Sequence, residues 1–283
     1  MKGRTWLAAG AVLAATTTPA AQAPTPLSVM TWNVCAGTNP ACPMYGRSVH
    51  ELARSIGEQA VSQPIRPDVI FLQEFCAGAT QPLEQWLELS TGRPWTARSA
   101  DLTGPDGRPY ACHPDRAGRP RGAQSVTVAV AGPAPAFTIH PLDSPPWYVK
   151  RSALCAAIPA RRINACAAHL SSGLPNDDPQ PGAPYRTRQV RQLLAAAARP
   201  GHRAVLGGDL NLTPARAAVR PAYRAYDECD TGRAARWTHQ RAGDGVTRKL
   251  DYLFAPAGSV RGCHVDRWAA ASDHRPVYLK AVL

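Results

Sequence analysis

The sequence predicts one α/β domain carrying a mixed, largely antiparallel set of strands. Three observations point there. Strand-like and helix-like segments alternate along the chain. No internal repeat of solenoid length is present, and no linker splits the 283 residues.

The elements follow in order. Leu27–Val34 reads as a strand. Arg47–Val61 places Val49, Leu52, Ala53, Ile56 and Ala60 at helical spacing, and Pro64 and Pro67 close it. Val69–Leu72 is a short buried strand and Leu83–Leu89 a helix. The stretch from Ala100 to Gly122, rich in Gly, Pro and Arg, reads as loop. Val126–Val130, Phe137–His140, Trp147–Ile158 and Ile163–His169 read as successive strands. Ser171–Pro184 is a second loop and Arg186–Ala198 a strong helix. Then come a strand at Arg203–Leu206, a helical turn near Pro214–Val219, and strands at Leu250–Phe254, Ser259–Val265 and Val277–Val282.

Residues 1–23 have the pattern of a secretory signal peptide. Lys2 and Arg4 make a basic start, Trp6–Ala15 is apolar, and Ala21-Gln22-Ala23 has the small-x-small cleavage form. A retained N-terminal anchor is the competing reading, but the apolar stretch is too short to span a bilayer. No other segment is long enough either, so no transmembrane segment is expected. The expectation is a secreted, extracellular monomer whose domain spans residues 24–283.

The formal charge is +12, and losing Lys2 and Arg4 leaves the rest strongly basic. That suits a polyanionic partner or an anionic surface, although arginines spread along the whole chain also serve solubility.

The eight cysteines are Cys35, Cys42, Cys76, Cys112, Cys155, Cys166, Cys229 and Cys263. An even number on an oxidising route, without CxxC spacing, points to disulfides rather than zinc. Sequential pairing is favoured. Cys35 and Cys42 close a tight Pro-containing loop, and a hairpin around Pro159–Arg162 sets Cys155 opposite Cys166. Cys76–Cys112 and Cys229–Cys263 follow by elimination.

Polar residues recur at strand ends. In AVLGGDLNLTP, an apolar run meets Gly207-Gly208 and then Asp209 and Asn211. Residues two apart in extended chain point the same way, and glycines allow close backbone approach. Alone, this is an ordinary polar turn. Yet apolar runs also lead into Asn33, Glu74 and His169, Asp251 opens a strand, and Asp273-His274 precedes the final one. Six such ends supplying Asp, Glu, Asn and His argue for one site.

These pieces resemble the endonuclease/exonuclease/phosphatase superfamily, the deoxyribonuclease I-like metallophosphoesterases. In order they are TWNV at Asn33, LQE at Glu74, HL at His169, GGDLN at Asp209 and Asn211, LDY at Asp251, and SDHRPV at Asp273-His274. They span Leu27 to the C-terminus. The resemblance implies a four-layer α/β sandwich, two packed, mostly antiparallel mixed sheets flanked by helices, with the site among loops at one edge. By resemblance, Arg151 is similar to a phosphate-contacting arginine, and Tyr110 to a tyrosine near the scissile phosphate. Where nucleases close to pancreatic deoxyribonuclease carry Arg two residues after the glutamate, this chain has Cys76.

Phosphodiester hydrolysis needs an activated water and stabilisation of phosphoryl charge. Glu74 is the best ligand for Mg²⁺, with Asp273 and Asn33 near; Mn²⁺ and Ca²⁺ are alternatives. His274 is the candidate general base, its ring oriented by Asp251. Asp209 and Asn211 would hold the water and a phosphate oxygen. His169 would donate to the phosphate, supported by Asp115. The expected activity is a nuclease acting on DNA or RNA, because the chain is basic and exported. A sphingomyelinase or other phospholipid diesterase is the alternative; its one candidate apolar hairpin, Pro145–Tyr148, reads better as ordinary strand. A non-catalytic binding protein fits less well, because the polar set is complete.

Overall fold

The fold is given by a computed structural model that describes residues 24–132, 135–231, 236–241 and 245–283. The signal peptide expected at 1–23 lies outside the described residues.

The strands and helices run β1 (Pro26–Asn33), α1 (Val49–Val61), β2 (Val69–Cys76), α2 (Thr80–Thr91), β3 (Trp95–Asp101), β4 (Gln124–Ala131), β5 (Ala136–Leu142), β6 (Arg151–Ile158), β7 (Ile163–His169), α3 (Pro184–Ala197), β8 (Arg203–Asp209), α4 (Arg220–Ala225), β9 (Asp227–Glu228), β10 (His239–Gln240), β11 (Thr247–Arg248), β12 (Asp251–Ala255), β13 (Val260–Val265) and β14 (Val277–Val282). Two six-stranded sheets form, in the orders β13-β14-β1-β2-β4-β3 and β5-β6-β7-β8-β12-β9. Only β1–β2 and β7–β8 pair in parallel among these strands.

Period-two alternation builds the layers. Val29 of β1, Phe71 of β2 and Val128 of β4 point inward and meet Leu154, Ala165, Val205 and Leu253 of the other sheet. The alternate residues Met30, Trp32, Ile70 and Leu72 point outward and bury Leu52, Ile56, Leu83 and Leu87 of α1 and α2. On the far side Cys166, Ala168 and Leu206 receive Val190 and Leu193 of α3. The result is helix, sheet, sheet, helix. No helix among the described residues is long and apolar enough to cross a membrane.

Local chemistry sets the helix ends. Ser48 caps α1 and exchanges hydrogen bonds with Glu51 in a capping box. Gly92, with φ 65°, ends α2. Pro184 opens α3 in its first turn, where its missing N–H has no helical partner to lose.

Four disulfides join neighbours in sequence: Cys35–Cys42, Cys76–Cys112, Cys155–Cys166 and Cys229–Cys263. Cys155 and Cys166 face each other directly in the β6–β7 register. Cys263 lies in β13 and Cys229 follows β9, so that bond staples one sheet to the other.

Several elements differ from the sequence reading: α4, β9, β10 and β11 are additions to it, and two differences are larger. Trp95–Asp101 forms the edge strand β3 just before the Gly/Pro-rich loop. Arg98 and Asp101 face solvent there, which weakens its apolar pattern. Residues 147–149 are not strand: Pro145 and Pro146 offer no backbone donors, and β6 starts only at Arg151.

Candidate active site

The strand ends that sequence reading singled out converge at one end of the sandwich. The parallel pairs β1–β2 and β7–β8 both finish there, while β12 and β14 start there as antiparallel partners of β8 and β1. Asp209 therefore pairs in register with His169 on one side and Asp251 on the other.

The two glycines before Asp209 make that approach possible. A Cβ on Gly207 would sit 2.0 Å from the Tyr252 carbonyl oxygen, and one on Gly208 would sit 1.9 Å from that of Ala168. Gly208 also has φ +128°, which L side chains rarely adopt.

Asn33 ties the two sheets together. Its Nδ2 donates to Glu74 Oε1 and to Asp209 Oδ2, each at 3.0 Å, while its Oδ1 accepts from Cys35 N. Its amide oxygen already accepts one hydrogen bond, which leaves one lone pair for the cation it was expected to help hold. Glu74 reaches this point from an irregularity in β2, where the register shifts between Leu72 and Phe75 and its own φ is 50°. Cys35, Glu74 and Asn211, three non-glycine residues in the left-handed region, all border the same cleft. Such conformations cost about 1–3 kcal/mol each and persist where surrounding structure enforces them.

Asn211 departs from the expected side-by-side placement with Asp209. With φ 50° it breaks the extended alternation; its N–H donates to Asp209 Oδ1 and its amide to the Leu170 carbonyl. It orients Asp209 through the backbone.

His274 Nδ1 lies 2.8 Å from Asp251 Oδ2, and its Nε2 lies 3.7 Å from Asp209 Oδ2. Ser272 Oγ anchors the segment by donating to the Asn33 carbonyl and accepting from His274 N. Burial by itself would lower the His274 pKa, but the carboxylates of Asp251 and Asp209 outweigh it and raise it to about 10. Two carboxylates thus face the ring expected to act as a base, Asp251 at Nδ1 and Asp209 near Nε2. Burial raises the pKa of Asp209 and Glu74, and for Glu74 the like charges of Asp273 and Asp209 add to the effect. His169 lies 3.5 Å from Asp209, and burial followed by Arg151 and His274 pushes its pKa well below its ordinary value.

Arg151 is buried at the base of the cleft, donating to Asp177 Oδ2 at 3.1 Å and to the His169 carbonyl. Tyr110 also borders the cleft. Asp115 does not support His169; it pairs with Arg119 at 2.7 Å within its own loop. Cys76 is bonded to Cys112.

Sequence reading missed His239. Its ring packs 4.6 Å from that of His274, centroid to centroid. It sits on a two-residue strand with no apolar run leading into it, so the strand-end signal was absent. Tyr148, Arg241 and Arg248 border the cleft too, whose volume is about 830 Å³.

The donor set suits a hard divalent cation. Glu74, Asp209 and Asp273 crowd like charges together, and oxygen ligands with room for water are what Mg²⁺ takes. Glu74 and Asp273 would hold it.

Comparisons with known proteins agree with this fold. No curated protein matches the chain in sequence. Among solved structures, it is similar to an endonuclease/exonuclease/phosphatase from Beutenbergia cavernae DSM 12333, with 21% identity and TM-score 0.62, covering 91% of this chain and 72% of that one. It is similar to the human Nocturnin catalytic domain with bound sulfate anion, with 15% identity and TM-score 0.61, covering 91% and 94%. D. rerio TDP2 complexed with single strand DNA product gives 16% identity and TM-score 0.60, covering 91% and 99%. The Endonuclease/Exonuclease/phosphatase family model matches residues 30–274, from inside β1 to His274 itself. Most of both sheets lies within that match, and this chain belongs to the Endonuclease/Exonuclease/phosphatase family.

Proposed function

We propose that the protein is a secreted, Mg²⁺-dependent phosphodiesterase that hydrolyses nucleic acid. The observation that carries the reading is the Asn33 bridge, which sets Glu74 and Asp209 side by side within reach of His274. When bound at Glu74 and Asp273, the cation neutralises charge on the phosphoryl oxygens.

Each residue then has a task. Asp209, a carboxylate made more basic by burial, takes a proton from the attacking water. The new phosphorus–oxygen bond forms as the bond to the leaving oxygen breaks. The His274 imidazolium, steadied by Asp251, faces the phosphoryl oxygens, and His169 donates a hydrogen bond as their charge builds. Arg151 and Tyr110 position the phosphate. Asn211 keeps Asp209 aimed through its N–H.

Nucleic acid is favoured by a chain that stays strongly basic without Lys2 and Arg4, and by Arg241 and Arg248 at the cleft border. A solved structure similar to this chain, that of D. rerio TDP2, holds a single strand DNA product. Four disulfides and the leader pattern support export. A phospholipid diesterase is the second reading; exposed Leu174 at the cleft border and exposed Trp147 next to Tyr148 favour it.

The test is purified protein with Mg²⁺ against plasmid DNA, RNA and sphingomyelin vesicles in parallel. Cleavage of a nucleic acid that weakens steeply with salt is expected. Hydrolysis of the vesicles alone hands the site to the lipid reading.

A further inference from the structure

His239 has no part in the mechanism above, yet it is built into the centre of the site. Gln240 N donates to the Asp273 carbonyl at 2.9 Å, Arg275 N donates to that of Thr238 at 2.6 Å, and a β-bridge sets His239 opposite His274. His239 Nε2 lies 3.9 Å from Asp273 Oδ2. Among the described residues neither His239 ring nitrogen has a hydrogen-bond partner, and Nδ1 is buried. His274 commits Nδ1 to Asp251, which leaves its Nε2 to the cleft. One donor atom each from His239, Asp273 and His274 lie within 4.8 Å of one another.

Two imidazoles and one carboxylate are not a magnesium set. Mg²⁺ prefers oxygen donors, whereas imidazole suits zinc and similar transition ions. Tetrahedral zinc takes ligands at about 2.0–2.2 Å, so the three donors need to close by roughly 1 Å, within reach of small side-chain rotations. A fourth position remains for water.

We propose that His239, Asp273 and His274 form a Zn²⁺ site that overlaps the catalytic centre and blocks it when filled. Zinc there displaces the proton from His274 Nε2, releasing it to solvent, and takes a carboxylate needed for Mg²⁺. The blocking half rests on the proposed function; the binding half does not.

Calorimetry of the metal-free protein with zinc chloride separates the two. One equivalent of Zn²⁺ is expected to bind to the full chain, shifting the ring ¹⁵N resonances of His239 and His274. H239N is expected to weaken binding at least tenfold. Asp273→Asn should do the same, and it carries the test if H239N fails to fold. In Mg²⁺-supported hydrolysis, Zn²⁺ should inhibit the wild type, and H239N should need at least tenfold more zinc for equal inhibition. No binding by the wild type, or equal affinity in H239N, overturns the site. If no phosphodiester is hydrolysed at all, the proposed function falls, while calorimetry still decides the zinc site.

Discussion

His274 and Asp251, 23 positions apart in sequence, meet through a 2.8 Å contact between Nδ1 and Oδ2, both side chains buried. No local pattern brings them together. The antiparallel pairings of β12 with β8 and of β14 with β1 do so, by starting both strands at the same end of the sandwich.

If the two act as one unit, their losses should not multiply. His274→Ala and Asp251→Asn are each expected to reduce turnover by about 10²–10³-fold, the range for removing a group that stabilises transition-state charge. The double variant should be hardly worse than His274→Ala. Steady-state kinetics of all four proteins decide it; losses that multiply mean the residues act independently.

The same contact has a pH signature in metal-free protein. The His274 pKa is raised from 6.5 to about 10, so its stabilising effect is fully present below pH 6.5 and is lost as pH rises through about 10. Urea unfolding between pH 6 and pH 10 should show that decline in the wild type. Asp251→Asn should flatten it; parallel curves would assign the decline to other groups.

Hydrolysis should stop in chelator and return with Mg²⁺. Glu74→Gln removes a cation-binding charge, so it should raise the Mg²⁺ concentration for half-maximal rate about tenfold or more. Full activity in chelator would remove the cation from the mechanism.

Gly208→Ala should damage the fold rather than the chemistry. Its Cβ would meet a backbone oxygen at 1.9 Å in a conformation L residues avoid. The loss should exceed about 1 kcal/mol, read as a lower Tm in the metal-free protein. An unchanged Tm would show that β7 and β8 separate without cost.

Ser48→Ala should cost about 1 kcal/mol by removing the cap of α1. The Ser48 backbone N–H and hydroxyl hold Glu51 below its ordinary pKa of 4.5. That contribution is present above pH 4.5 and lost as pH falls through the lowered value. The part of the difference that comes from the Ser48 hydroxyl on the Glu51 carboxylate should therefore vanish in acid, while the cap bond to Glu51 N–H keeps the rest.

Local chemistry was legible in the residues themselves. The strand Ile163–His169 occupies the range its pattern implied, and α1 follows its apolar spacing, because alternation and helical period are properties of neighbouring residues. The candidate polar set was legible for the same reason: each member ends or begins an apolar run. Edge strand β3 was not, since one half of its side chains meets solvent and its pattern is diluted. Nor were the roles within the site. Asn33 bridges two carboxylates through Nδ2 because β1 lies between β2 in its own sheet and β8 in the facing one. Asn211 turns away from Asp209 because its backbone is left-handed. His239 entered the centre only because its two-residue strand hydrogen-bonds to the segment around Asp273. Burial and distance between remote strands shift the pKa values of His274, His169 and Asp209. Those depend on how the sheets stack, which no single stretch of sequence encodes.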